Sequence, residues 1–279
     1  QPRPVAVTTQ PAGLAVSVTY DGAVEPPAAA GSYAVVAVIS DPGYSGSAYS
    51  TLVIAPKATS VSPTPAGKTY GDADPTLAGT LEGFLAVDGV TAAFSRTPGE
   101  DAGGDYTISA SLSPEARLAN YAITYNTAAF TIALRPIEVT ADAASKYVGD
   151  ADPPLTHRIT SGSLAAGDAL TGALSREPGE AVGVYAILQG DLSAGANYDL
   201  AYIGAQLTIA NRTANVTLGG LRQMYDGAPK TVTVTTDPAG LAVTVTYDGS
   251  ETAPSAAGAY AVVATVVEPG YEGSASGEF

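Results

Sequence analysis

Short runs in which apolar and polar residues alternate, separated by turn residues, recur along the whole chain. Val5 and Val7 alternate with Ala6 and Thr8, and Val16, Val18 and Tyr20 alternate with Ser17 and Thr19. A period of two sends successive side chains to opposite faces of an extended backbone, so each run predicts a half-buried β-strand. Gln10-Pro11-Ala12-Gly13, between those two runs, reads as a turn. Farther on, Ile123 and Tyr125 alternate, Asn126-Thr127 predicts a turn, and Phe130 and Ile132 follow. Leu207 and Ile209 close a later stretch in the same way. No segment keeps apolar residues at helical spacing over three turns; Leu81–Val90 and Leu164–Leu170 each have room for one helical turn. The pattern predicts an all-β chain of small antiparallel or mixed units.

The pattern also repeats at long range. Val5–Ala48 overlays Val232–Ala275 at a constant shift of 227 with no gap, and about two thirds of the positions are identical. Tyr20-Asp21-Gly22 meets Tyr247-Asp248-Gly249, and Pro42-Gly43-Tyr44 meets Pro269-Gly270-Tyr271. A second repeat lies between these copies. Gly71-Asp72-Ala73-Asp74-Pro75 recurs as Gly149-Asp150-Ala151-Asp152-Pro153, and Ser95-Arg96-Thr97-Pro98-Gly99-Glu100 recurs as Ser175-Arg176-Glu177-Pro178-Gly179-Glu180. Asn120-Tyr121 answers Asn197-Tyr198. The order is A, B, B, A, with expected units at residues 1–55, 56–134, 135–210 and 211–279. The first is expected to lack its first strand and the last to lack its last, as in a piece cut from a longer array; Phe279 could also be an appended residue. The linkers are short, two contain Pro, and none is a Gly/Ser tether, so a semi-rigid, extended string is expected.

Composition narrows the function classes. The chain has no Cys, which excludes disulfides, thiolate metal sites and a cysteine nucleophile. A single histidine, His157, excludes chemistry that needs two. The net charge of −15 argues against nucleic acid and against anionic membrane surfaces. No apolar run is long enough to span a membrane as a helix, and Gln1-Pro2-Arg3-Pro4 is not a signal peptide. The apolar residues are mostly Ala and Val, which suits several small cores better than one large one.

The repeated residues resemble the MBG (mostly beta, glycine-rich) repeats of very large bacterial surface proteins. The B units carry the fuller match, through Tyr70-Gly71-Asp72-Ala73-Asp74-Pro75, Ser95-Arg96-Thr97-Pro98-Gly99-Glu100, Tyr106-Thr107-Ile108, Asn120-Tyr121 and Phe130-Thr131-Ile132. The third unit departs by one inserted residue, Val148. The A units look like the related Tyr-Asp-Gly type, through Tyr225-Asp226-Gly227 and Tyr247-Asp248-Gly249. The resemblance implies a stalk or spacer in a secreted or surface-attached, adhesin-like protein outside a bacterial cell, with no catalytic residues. Each unit is then expected to be a small β-domain, either an immunoglobulin-like sandwich or a β-grasp-like fold.

Candidate chemistry is sparse. Asp72, Asp74, Asp150 and Asp152 are the only calcium candidates singled out, but two carboxylates per loop fall short of the six to eight oxygens that ion takes. Their expected role is an Asx-type turn, and no cofactor is expected. Lys68, Glu100 and Asn120, with their copies Lys146, Glu180 and Asn197, are the residue types of a self-made Lys–Asn cross-link. That reaction needs a desolvated, uncharged lysine, so ordinary solvated side chains are expected instead. Arg96 and Arg176 are expected to pair locally with Glu100 and Glu180. Tyr33 and Tyr260, Tyr106 and Tyr185, and Tyr121 and Tyr198 match between copies and predict core or half-buried strand positions. His157 has no counterpart in the second unit and reads as a strand-edge residue. With no acid–base constellation the chain is expected not to be an enzyme. Its expected partners are neighbouring repeats; a glycan or protein ligand, or filament growth by strand addition, are the rival readings.

Overall fold

The alternating runs fold as strands except the first, since residues 5–8 pair with no neighbouring strand and belong to none. In the computed structural model, which describes residues 2–279, the longest helix among the described residues is the four-residue turn Glu115–Leu118. The chain divides into two compact parts, residues 1–135 and 136–279, each holding one unit of each kind.

Each central unit consists of two small sheets. In the second unit, Lys57–Pro63 runs between Gly79–Glu82, antiparallel to it, and Tyr121–Tyr125, parallel to it. The chain then crosses at Thr64-Pro65 into a four-stranded sheet ordered Ala66–Thr69, Ala128–Ala133, Tyr106–Ser113, Thr91–Arg96. Proline suits this crossing because it offers no N–H to either ladder. The two sheets touch where Gly79 backs onto Phe94: a Cβ at Gly79 would stand 2.5 Å from the Phe94 ring. A two-sheet arrangement, with no helix longer than four residues among the described residues for a sheet to grasp, favours the sandwich over the β-grasp expectation.

Alternation puts Ile108, Phe130 and Ile132 on the inward face of the four-stranded sheet, where all three are buried, with Leu77, Phe94 and Tyr106 packed around them. Burying a side chain of this size contributes about 1.5–3 kcal/mol. The third unit repeats the plan. Arg135–Ala141 lies between His157–Gly162 and Tyr198–Ile203, and Ala144–Tyr147, Ala205–Ala210, Gly183–Leu188 and Ser175–Arg176 form the second sheet. Ile187, Leu207 and Ile209 are its core.

The outer units are copies in register as well as in sequence. In the first, Val16–Tyr20, Gly31–Ile39 and Ser47–Ile54 form an antiparallel sheet in which Val16 faces Ile39 and Tyr20 faces Val35. In the fourth, Val243 faces Val266 and Tyr247 faces Val262. Tyr20 and Tyr247 are buried, and their hydroxyls accept the N–H groups of Val5 and Val232 at 2.9 and 3.0 Å. Asp21 and Asp248 take left-handed backbone conformations (φ 48° and 46°), and their carboxylates accept the N–H of Ala34 and Ala261. Asp is one of the few residues that tolerates this region by bonding locally.

Three further details depart from expectation. The fourth unit does have its closing strand, Ser274–Glu278, and Phe279 takes the place of Leu52: it exchanges both backbone hydrogen bonds with Tyr260 and packs edge-on against Tyr247. Leu164–Leu170 holds a tight turn and no helix, whereas Leu81–Val90 does hold the single turn Ala86–Asp88. Glu115–Leu118 forms a helical turn that no periodicity announces, because four residues are too few to show one.

Candidate functional site

The four-stranded sheet of the second unit assembles one charged cluster from four separate places. Lys68 lies on one edge strand, Ala66–Thr69, and Arg96 ends the other, Thr91–Arg96. Asp74 comes from the loop after the first of these, and Glu100 from the Pro98-Gly99 turn after the second. Arg96 donates to both Asp74 oxygens, Nε at 2.6 Å and Nη2 at 3.0 Å, and Nη2 also reaches Glu100. Its Nη1 caps the turn by donating to the carbonyls of Thr97 and Gly99 at 3.0 and 2.6 Å. Lys68 completes a ring of alternating charge, 2.7 Å from Asp74 and bonded to Glu100.

The guanidinium lies over the Phe130 ring at 4.7 Å and near that of Tyr106 at 5.4 Å. The cations are therefore largely covered (side-chain exposure 6% for Lys68 and 8% for Arg96) while Asp74 and Glu100, at 38% and 62%, face water. The cluster acts as a lid of charge laid on an aromatic floor, and water still screens its outer side.

The third unit builds the same cluster from Lys146, Asp152, Arg176 and Glu180. Lys146 lies 2.6 Å from Asp152, and Arg176 donates to Asp152 from Nε at 2.6 Å and Nη2 at 3.0 Å. Glu180 bonds both cations, Arg176 caps Gly179, and its guanidinium lies 5.6 Å from the Tyr185 ring. The expected Arg–Glu pairs are present, but as one side of a four-residue network. The sequence signal was available: all four residues recur, with Asp and Arg 22 apart in one copy and 24 in the other, and Arg and Glu four apart in both.

The protonation states follow from these contacts. Hydrogen bonds from Arg96 and then Lys68 hold Asp74 down to about 2, and those from Arg176 and Lys146 do the same for Asp152. Glu100 and Glu180 are also lowered, chiefly by the lysines. Lys68 and Lys146 are raised, chiefly by the aspartates. Cross-linking needs a neutral amine to attack a carboxyl or amide carbon, so this environment stabilises the wrong charge state on the lysine. The trio is also only half assembled in the second unit. Glu100 reaches Lys68, but Asn120 stands at the head of a strand in the other sheet, and its Oδ1 accepts the Ala30 N–H of the first unit at 2.9 Å. In the third unit Lys146 is bonded to Glu180 and to the Asp150 carbonyl, and Asn197 precedes the equivalent strand, Tyr198–Ile203.

Asp72 and Asp150 have a different role from Asp74 and Asp152. Each meets an arginine at the exit of its own unit. Arg135 Nη1 donates to Asp72 at 2.9 Å and to the Tyr70 carbonyl at 3.0 Å. Arg212 donates to Asp150 and lies over the Tyr147 ring at 4.8 Å. These linker arginines form clamps that sequence reasoning missed, although both sit one residue or less from the expected unit boundaries. Beside the second clamp, Val148 approaches Gly270 of the fourth unit. All four aspartates singled out for calcium thus face cations, and no group of three or more His, Asp or Glu side chains suited to a metal occurs among the described residues.

The matched tyrosines lie where they were expected: Tyr121 and Tyr198 are buried, and Tyr33, Tyr106, Tyr185 and Tyr260 are half-buried. Tyr198 donates to Asp168 at 2.6 Å and accepts the Ala165 N–H at 2.7 Å, and Tyr121 pairs with Asp88 and the Leu85 N–H in the same way. His157 is half-buried at the start of an edge strand, opposite Ala141.

Two family models match the chain in the pattern of its repeats. The MBG domain model covers residues 1–70 and 214–279, and the MBG domain (YGX type) model covers 60–131 and 137–208. No curated protein matches. Among solved structures, Drosophila N-cadherin EC1-4 aligns over 88% of this chain and 82% of its own, at 7% identity and a TM-score of 0.19.

Proposed function

The chain belongs to the MBG-domain family, as a tandem array of two MBG types, and from that premise we propose that it is a non-catalytic spacer. It serves in an extracellular, adhesin-like bacterial protein and holds a distal binding module away from the cell. The observation that carries this reading is the duplication of purely structural apparatus. Both central units use their buried cations to fasten strand, loop and turn, and both use a linker arginine to tie the exit segment to the unit's own loop. A binding module would be expected to spend such residues on a ligand, and to differ between copies. The acidic balance supports the same reading, since like-charged units resist collapse and bundling.

In this proposal the array needs no metal, because the acidic loops are neutralised by Lys and Arg of the same chain. It also needs no ligand of its own; its partners are the repeats on either side. The test is reach. A reporter binding module displayed on cells through this chain, or through the chain shortened by one central unit, should capture an immobilised target across a gap set by the number of units, equally in calcium and in chelator. Capture that ignores unit number would sink the spacer reading. A glycan or protein bound by the isolated chain would favour the adhesive-module alternative.

A further inference from the structure

In both central units the strand that enters the four-stranded sheet lies beside the strand that leaves it, and the two run parallel. In the second unit Ala66–Thr69 pairs with Ala128–Ala133, in a register that sets Ala66 opposite Phe130 and Thr69 opposite Ala133. The Tyr70 N–H extends this ladder onto the Ala133 carbonyl at 2.9 Å. In the third unit Ala144 faces Leu207, Tyr147 faces Ala210, and the Val148 N–H donates to the Ala210 carbonyl at 3.0 Å. The other sheet of the second unit follows the same rule: its entry strand, Lys57–Pro63, runs parallel to Tyr121–Tyr125.

This topology decides how tension acts. A pull on the two ends of the second unit draws Ala66 toward the start of the chain and Ala133 toward its end, so the strands are driven past each other along their length. The bonds of a parallel ladder are evenly spaced, so they carry that shear together and must fail together. A pull applied at one end of the ladder would instead open them one at a time. The ladder is short, with four register pairs, and side chains hold the entry segment a second time. Lys68, opposite Ile132, reaches Glu100, and Asp74 accepts from Arg96, so both contacts join residues 66–74 to the segment at the far edge of the sheet. Arg135, just past the exit strand, is tied to Asp72 and to the Tyr70 carbonyl. Lys146 with Glu180, Arg176 with Asp152 and Arg212 with Asp150 repeat all three ties in the third unit.

We propose that the second and third units are load-bearing. Their parallel entry and exit strands form a shear clamp, and the charged cluster and linker arginine reinforce it, so each unit resists a pull on its ends far more than it resists peeling. The inference goes beyond the spacer reading: reach needs only length, whereas this concerns resistance to tension, and either can fail without the other.

The chain has no Cys, so an introduced pair gives unique attachment points for single-molecule force spectroscopy on the whole chain. Pro56→Cys with Leu134→Cys loads the second unit in shear, and Ala73→Cys with Leu134→Cys pulls at one end of the ladder. All three positions are exposed, so both double variants should melt as the parent does. Forced unfolding follows the unfolding rate and not the equilibrium stability, so one fold can show two strengths. The shear pair is expected to need a force about twofold or more above the peeling pair, because several ladder bonds break at once instead of singly. Glu100→Ala is expected to lower the shear force and leave the melt almost unchanged, since Glu100 is largely exposed. Equal forces in the two geometries, or a shear force that Glu100→Ala leaves unchanged, would overturn the proposal.

Discussion

At the residue scale, two repeats in one chain act as each other's control. The central strand of the second unit buries Thr59 and Val61, and that of the third buries Ile137 and Val139 at the same places. Thr59 Oγ1 is buried without a hydrogen-bond partner, where its counterpart Ile137 brings only carbon. Thr59→Val should therefore stabilise the second unit by about 1 kcal/mol, since a buried, unbonded hydroxyl costs on that order; a calorimetric melt of the variant would show it. The charged clusters make a pH prediction. Asp74 and Asp152, held at about 2 in the folded state against an ordinary 3.8, stabilise fully above the ordinary value, and that contribution fades as pH falls toward 2. Lys68 and Lys146, raised above 10.5, stabilise fully below that value and lose the contribution at higher pH. Melting temperature should be level from about pH 5 to 10 and drop on both sides, with Asp74→Asn flattening part of the acid limb.

At the element scale, most strands, the turns and the copy-to-copy register were legible in the sequence, because alternation on a half-buried strand is a local signal, though residues 5–8 alternate and form no strand. Tyr20, Tyr121 and their copies could be placed in the cores for the same reason. What the sequence hid was non-local. Nothing near Asp72 says that its partner is Arg135, and nothing near Lys68 says that Asp74 shares it with Arg96. Recurrence was the one usable clue, and it needed all four cluster residues to be compared at once. The turn Glu115–Leu118 was illegible for the opposite reason, being shorter than any period. The linker clamps carry a prediction of their own. Arg212→Ala should widen the distance distribution between spin labels placed in the third and fourth units while leaving each unit's melt almost unchanged, because an exposed ion pair adds little to unit stability. An unchanged distribution would mean that the short linker and the Val148–Gly270 contact fix this junction without the arginine.

At the scale of the whole molecule, the proposal is that these small β-units serve as spacers and not as one folded body around a shared site. Their cores are built independently: Ile108, Phe130 and Ile132 in one, Ile187, Leu207 and Ile209 in the next, Ala264 and Val266 in the last. Stability should then be the sum of unit stabilities and neighbour terms, as in other tandem arrays. Small-angle X-ray scattering tests this most directly. A single globule of this length would have a radius of gyration near ~19 Å, and four units in a row, each about 30–35 Å long, would give roughly 35–40 Å. The account predicts the larger value, the same in calcium and in chelator; a value near the globule would contradict it.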